Sequence, residues 1–238
     1  MKKKKALGKY IASVIFLVPA ILFIAKFSGP SILRLYIETG IGTCHKIPIL
    51  CMVPEEEINN PLINKDYILG LLTYRFPKMT ISVPKGFTVS QERIKKVYYK
   101  KSRKGNAAII YLLYEEPNFF VNLFPQLKKQ GIKDDYEFIR RTMHAKLTDI
   151  KNVTDSFFVI MKSIFTPDVG DQSNLKMAQF TVPGKKGFIN YNISKTDNYF
   201  DCNVINEGGD FFKIYIKDKG ATLDLAKVLA IISTARGL

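Results

Sequence analysis

Apolar and polar residues alternate from Phe76 to Val83, with Phe76, Met79, Ile81 and Val83 among polar neighbours, and the run ends in a Pro84-Lys85-Gly86-Phe87 turn. This pattern predicts strand, turn, strand. Residues 97–99 and 107–114 are two further apolar runs separated by the turn-forming stretch Ser102-Arg103-Lys104-Gly105-Asn106, which predicts an antiparallel pair. The period then lengthens. Tyr136, Ile139, Met143 and Leu147 follow one another at spacings of three, four and four, the signature of one helical face, and Asp134 or Asp135 is placed to cap its start. Strands are expected at 157–165, 175–182, 187–194, 199–205 and 211–216, each bounded by Gly, Asp, Asn or Pro. A closing helix over 223–235 carries Leu225, Val228, Leu229 and Ile232 on one face, with Thr222 as its cap and Gly237 as its stop. Strands outnumber helices and succeed one another without helical crossovers. The expected class is therefore α+β, an antiparallel β-sheet covered by helices.

The start of the chain follows a different pattern. Residues 11–25 carry no charge and follow the four lysines Lys2 to Lys5. This predicts a transmembrane signal-anchor helix over 10–27, close to the minimum length for a bilayer, with Lys26 snorkelling and a basic cytoplasmic tail at 1–9. No A-x-A pattern follows the run, and a second semi-apolar stretch comes directly after it, which favours retention over cleavage as a signal peptide. More lysines precede the run than follow it, so the N-terminus stays cytoplasmic and the remainder is exported. The expected location is the cell (inner) membrane, single-pass, with a periplasmic or otherwise extracytoplasmic C-terminal domain. Ile41-Gly42-Thr43-Cys44 only loosely resembles a lipid-attachment sequence, because Thr43 is a poor residue there and Cys44 lies far beyond the apolar run. Residues 28–74, interrupted by Pro30, Pro48, Pro54 and Pro61, are expected to form an irregular stalk with at most a turn or two of helix within 65–72. Residues 75–238 are the expected exported domain.

Composition supports one sizeable core: 47% of the 238 residues are hydrophobic, and the 17 Phe and 12 Tyr must supply its aromatic bulk because there is no Trp. The net charge is +15, of which six lysines within residues 2–26 contribute six, so +15 less six leaves +9 for the rest. That excess favours anionic partners. Its densest part is Arg93, Lys95, Lys96, Lys100, Lys101, Arg103 and Lys104, seven basic residues with no acid in the stretch. They suit anionic lipid headgroups, an acidic polymer or an acidic protein partner; the plainer reading is a solvated hairpin whose lysines keep a sheet edge from pairing. Basic residues interleaved with tyrosines suggest nucleic acid, but export argues against it. A second stretch, from Glu115 to Pro125, holds Phe119, Phe120, Val121, Leu123 and Phe124, and core packing is the default expectation for it.

Three cysteines are present, Cys44, Cys51 and Cys202. Export permits a short-range Cys44–Cys51 disulfide, leaving Cys202 as an inert thiol within a strand. Covalent haem would need a cysteine where Ile41 stands. A metal would have only Cys44, His45 and Cys51 locally, with His144 elsewhere on a polar helix face, so the disulfide is preferred and no metal site is expected. Asp168, Asp171 and Asn174 lack calcium-loop spacing. No G-x-S-x-G, Walker A, H-E-x-x-H or G-x-G-x-x-G motif occurs. No catalytic residue and no cofactor is assigned. The preferred reading is a membrane-tethered, non-catalytic binding or assembly module; the alternative is an exported enzyme or thiol-redox protein using Cys44 and Cys51 or carboxylates on the sheet.

The opening Ile81-Ser82-Val83-Pro84-Lys85-Gly86-Phe87, the later meander of strands and the closing strand plus amphipathic helix together resemble the PsbP and Mog1 group of α/β/α sandwiches. The resemblance covers about residues 76–238 and carries no diagnostic motif. It implies an α/β/α sandwich and a role as an assembly factor or binding module rather than a catalyst. The insertion from Glu115 to Lys133 and the anchor depart from that pattern.

Overall fold

A computed structural model of the chain describes residues 29–59, 61, 63–103, 106–166 and 174–238, together with the backbone but not the side chains of Tyr98, Lys101, Ser102, Arg103, Asn106 and Ala107. The basic tail at 1–9 and the anchor helix expected at 10–27 lie outside the described residues. Among those described, no helix is long and apolar enough to cross a membrane.

In chain order the elements are α1 (Pro30–Gly40), β1 (Glu56–Asn59), α2 (Lys65–Leu69), β2 (Leu72–Arg75), β3 (Met79–Val83), β4 (Thr88–Arg93), β5 (Lys96–Arg103), β6 (Asn106–Glu115), α3 (Phe119–Leu123), α4 (Asp135–His144), α5 (Val153–Phe165), β7 (Lys176–Val182), β8 (Lys185–Asn192), β9 (Asp197–Asn206), β10 (Phe211–Lys219), α6 (Leu225–Thr234) and β11 (Arg236–Gly237). They fall into two units. The described residues 29–53 and 144–166 make the first, and the rest make the second.

The first unit is helical. α1 buries Leu33 and Ile37, and a short 3₁₀ turn, Pro48–Leu50, buries Ile49 and Leu50. α5 starts where the Asn152 side chain accepts a hydrogen bond from the Asp155 N–H, and it buries Phe158, Val159, Ile160, Met161 and Lys162.

The second unit is organised by an eight-stranded sheet in the order β1-β7-β8-β9-β10-β6-β5-β4. Seven of these strands form antiparallel ladders, while β1 runs parallel to β7, with Glu56 opposite Ala178 and Asn59 opposite Thr181. Alternation puts Phe200, Cys202 and Val204 of β9 with Phe212, Ile214 and Ile216 of β10 in one apolar cluster, to which α6 adds Val228, Leu229, Ile231 and Ile232 and β3 adds Met79, Ile81 and Val83. A separate three-stranded sheet, β11-β3-β2, joins that core. Gly187 of β8 is required by close approach, since a Cβ there would stand 2.1 Å from the Asn203 carbonyl oxygen on β9.

Several expectations are corrected. The purely antiparallel sheet covered by helices, and with it the α/β/α layering of the PsbP and Mog1 group, gives way to a mixed sheet with a second small sheet, because β1 joins in parallel at the far edge. Residues 157–165, expected as a strand, lie in the helix α5. Within 28–74, where an irregular stalk was expected, the described residues carry α1, β1, α2 and β2. α6 is capped by Asp224, whose carboxylate accepts from the Lys227 N–H at 2.8 Å, rather than by Thr222. The Thr222 hydroxyl and N–H both donate to Asp218 instead.

Candidate functional site

The basic cluster identified in the sequence falls at one edge of the large sheet. β4 is the terminal strand, and all six of its residues are exposed. It pairs antiparallel with β5, with Arg93 opposite Lys96 and Thr88 opposite Lys100, and the register shifts between Val89 and Gln91. The cluster is not uniform. Lys95 donates to Glu115 at 2.9 Å and stands 3.8 Å from Glu116, a contact that holds its pKa above the usual lysine value. Neither acid was visible in the local sequence, because β6 brings them alongside. Arg93 and Lys100 are exposed and Lys96 is half-buried, and none of the three makes an ion pair among the described residues. The side chains of Lys101 and Arg103, and Lys104 altogether, lie outside the described residues.

A second polar constellation was not read from the sequence. Asn190 on β8 stands opposite Asp201 on β9, and Asn203, two residues further along β9 on the same face, stands opposite Lys213 on β10. Asn190, Asp201 and Asn203 are fully buried. Lys213 Nζ lies 2.6 Å from an Asp201 oxygen and donates to Asn203 Oδ1 at 3.1 Å. Burial pushes the Asp201 carboxyl above its ordinary range, and the Lys213 ammonium and the Asn190 amide pull against it. The only sequence signal was the alternation of Asp201 and Asn203 with Phe200, Cys202 and Val204, which marks a sheet face that is polar where its opposite is apolar. Lys213 bridges Asp201 and Asn203 across β9 and β10, while buried polar atoms of Asn190, Asp201 and Asn203 stand without a hydrogen-bond partner among the described residues.

A cleft of about 440 Å³ lies at the end of the sheet where β7 turns into β8 and β9 into β10. Asp135 sits in its wall, but one carboxylate oxygen is committed to the Phe120 and Val121 N–H groups at 3.0 and 3.1 Å, capping α3. Lys185 is committed too. Its ammonium donates to the Ser233 carbonyl at 2.7 Å, near the end of α6, and burial pushes its pKa down to about 8. Lys186 rests its Nζ 3.8 Å from the centre of the Tyr136 ring. The cleft's charged groups thus largely serve the fold.

Cys44 and Cys51 are joined by a disulfide, with Cα atoms 5.6 Å apart. Just beyond it, the buried Lys162 donates to the Met52 carbonyl and, at 2.9 Å, to that of Ala145. Burial, then the nearby Lys146 charge, pushes the Lys162 pKa down to about 7. Cys202 is buried in β9, and burial raises its thiol well above the usual range, the setting of an inert thiol. His45 and His144 are both exposed, and among the described residues no group of three or more His, Cys, Asp or Glu is arranged to hold a metal. The apolar stretch after β6 packs inward through α3, where Phe120 stacks on Phe138 at 5.0 Å and meets Phe211 edge-on at 4.9 Å. Asp168 and Asp171 lie outside the described residues.

No family model matches the chain, and no curated protein does. A crystal structure of a protein from Bacteroides thetaiotaomicron VPI-5482 is similar over 67% of this chain and 45% of its own, with 8% sequence identity and a TM-score of 0.29. The chain thus spans less than half the length of that protein, and a likeness of this degree carries no argument about fold or function.

Proposed function

We propose that the chain is a membrane-tethered, non-catalytic binding or assembly module on the non-cytoplasmic face, which holds an acidic partner through the β4–β5 edge. The reading rests on one observation: Arg93 on the exposed terminal strand β4, and half-buried Lys96 and exposed Lys100 on the adjoining β5, make no ion pair among the described residues, whereas Lys95 beside them is paired with Glu115. Exposed charges without intramolecular partners keep their field for an incoming group. Lys162, Lys185 and Lys213 are turned onto internal acceptors and do not compete for that role. The membrane tether supporting this placement is the apolar run at 11–25 behind its lysines.

The test is binding of polyglutamate to the purified full chain, compared with R93E/K96E/K100E and with K128E/K129E/K195E, which reverses three exposed lysines elsewhere. Charges of this kind contribute roughly 1 kcal/mol each near an anionic surface. Reversing three should therefore weaken binding by roughly a hundredfold or more at low salt. The control variant should change it far less. Equal loss in both variants would show a diffuse field rather than a site and would defeat the proposal.

A further inference from the structure

The sheet has a second free edge of opposite sign. β1 closes it at the end remote from β4, and Glu55, Glu56 and Glu57 are all exposed there. β1 pairs only with β7 among the described residues, so the outward N–H and C=O groups of its four residues face away from the sheet. Glu56 is partly engaged, accepting from the Tyr191 hydroxyl at 2.7 Å with Lys176 at 3.6 Å. Glu55 and Glu57 make no ion pair among the described residues. One sheet therefore ends at one side in the β4–β5 pair, where exposed Glu92 offsets Arg93 and the positive excess comes from Lys96 and Lys100 on β5, and at the other in an acidic strand.

Charges on an edge strand usually serve to prevent edge-to-edge pairing. Here their signs make that prevention selective. Two β4–β5 pairs brought edge to edge oppose the β5 lysines with their own kind, an excess that exposed Glu92 lessens but does not cancel, and two β1 edges oppose glutamates with glutamates. A β4 edge meeting a β1 edge brings opposite charges together while both strands gain backbone partners. We infer that the acidic partner held by the β4–β5 edge is the β1 edge of a second copy of this chain, so that copies join head to tail into a continuous sheet. The inference rests on the binding role proposed for the hairpin and names its partner. The contact is heterologous, so it leaves a free edge of each sign at the ends of every assembly and generates open chains or closed rings rather than an isolated dimer. A ladder of about four residues is weak by itself; confinement to a membrane surface raises the effective concentration at which it forms.

The experiment uses the full chain in detergent with a photo-reactive p-benzoylphenylalanine in place of Ser90 on β4. Expected at low salt is a ladder of cross-linked multimers, with the cross-link mapped by mass spectrometry to the peptide carrying Glu55 and Glu57, and its loss at high salt. E55K/E57K makes both edges basic, and R93E/K96E/K100E/K101E makes both acidic. Each alone should lose the ladder at least tenfold, and mixing the two variants should restore it. A wild-type chain that stays monomeric, a cross-link that maps elsewhere, or a ladder that survives in either variant alone overturns the inference. The binding role is scored separately: E55K/E57K keeps its hairpin, so polyglutamate binding by that variant without any wild-type ladder would sink self-assembly and leave the hairpin's role standing, whereas loss of both would sink the two together.

Discussion

Lys162 offers the most direct check on the helical unit. Its ammonium is fully buried, donates to the carbonyls of Met52 and Ala145, and has its pKa pushed from the ordinary 10.5 to about 7 by burial first and by Lys146 second. In the folded chain the group is largely neutral above pH 7, while in the unfolded chain it stays protonated until near 10.5. Between those values the unfolded state binds one more proton, so stability rises with pH across that window, by at most about 1.4 kcal/mol per pH unit. From pH 7 to pH 9 the gain from this one group is about 2 kcal/mol, once the partial titration near pH 7 is allowed for. Below pH 7 both states carry the charge, and the full cost of its burial weighs on the fold.

Lys162→Met removes the charge but leaves two carbonyls without their donor, each loss worth roughly 1–3 kcal/mol. The sign of the change at a single pH is therefore a poor test. The slope is a good one, because the lost hydrogen bonds shift the variant's curve without giving it the titration. Urea unfolding followed by circular dichroism at 222 nm, a signal to which α1 and α5 contribute strongly, should show wild type gaining about 2 kcal/mol on the variant between pH 7 and pH 9. Lys185, whose pKa is pushed down to about 8, adds a slope of the same sign to both proteins and cancels in the difference. A difference that stays constant over that range refutes the reasoning.

Two further outcomes are expected. Replacing Cys44 and Cys51 with serine should lower stability by about 2.5 kcal/mol, the chain-entropy value for so short a loop, and dithiothreitol should bring wild type to the same urea midpoint while leaving the variant unmoved. On the sheet, Asp201→Asn should cost about 3–5 kcal/mol by leaving the Lys213 ammonium without its counter-charge; the double change Asp201→Leu with Lys213→Met should cost less than the sum of the singles, and strict additivity in a double-mutant cycle would show that the 2.6 Å contact is not an energetic unit.

Most of the second unit was legible because its strands alternate. β7 to β10 and α6 lie close to where period and turn residues placed them, and Asp134 caps α4 through the Glu137 N–H as its position suggested. Two elements were illegible for definite reasons. α5 is apolar nearly all round, so its sequence has little of the polar face that reveals a helical period, and its Phe, Val and Ile content imitates a strand. Its one clear helical signal was Asn152 ahead of Asp155. β1 begins in two consecutive glutamates, Glu56 and Glu57, just after Glu55, and shows no alternation; its strand geometry comes from parallel pairing with β7, more than a hundred residues away. The candidate site divided in the same way. The basic run at 93–104 was plain, but the acids that neutralise Lys95 come from the next strand, and the pairing of Asp201 with Lys213 depends on a register that only the assembled hairpin sets.

Those pairings decide how much of the chain's positive charge is available to another molecule. Lys162 and Lys185 turn inward onto backbone carbonyls, Lys213 onto Asp201 and Asn203, and Lys95 onto Glu115, so each adds to the formal net charge while its field is consumed within the fold. A binding energy proportional to net charge would treat them as equal to Arg93, Lys96 and Lys100. The structure ranks them differently, because a lysine already holding a carboxylate must surrender that contact before gaining another. Salt dependence should therefore follow the unpaired cations of the β4–β5 pair, and reversing the same number of charges elsewhere should leave its slope nearly unchanged.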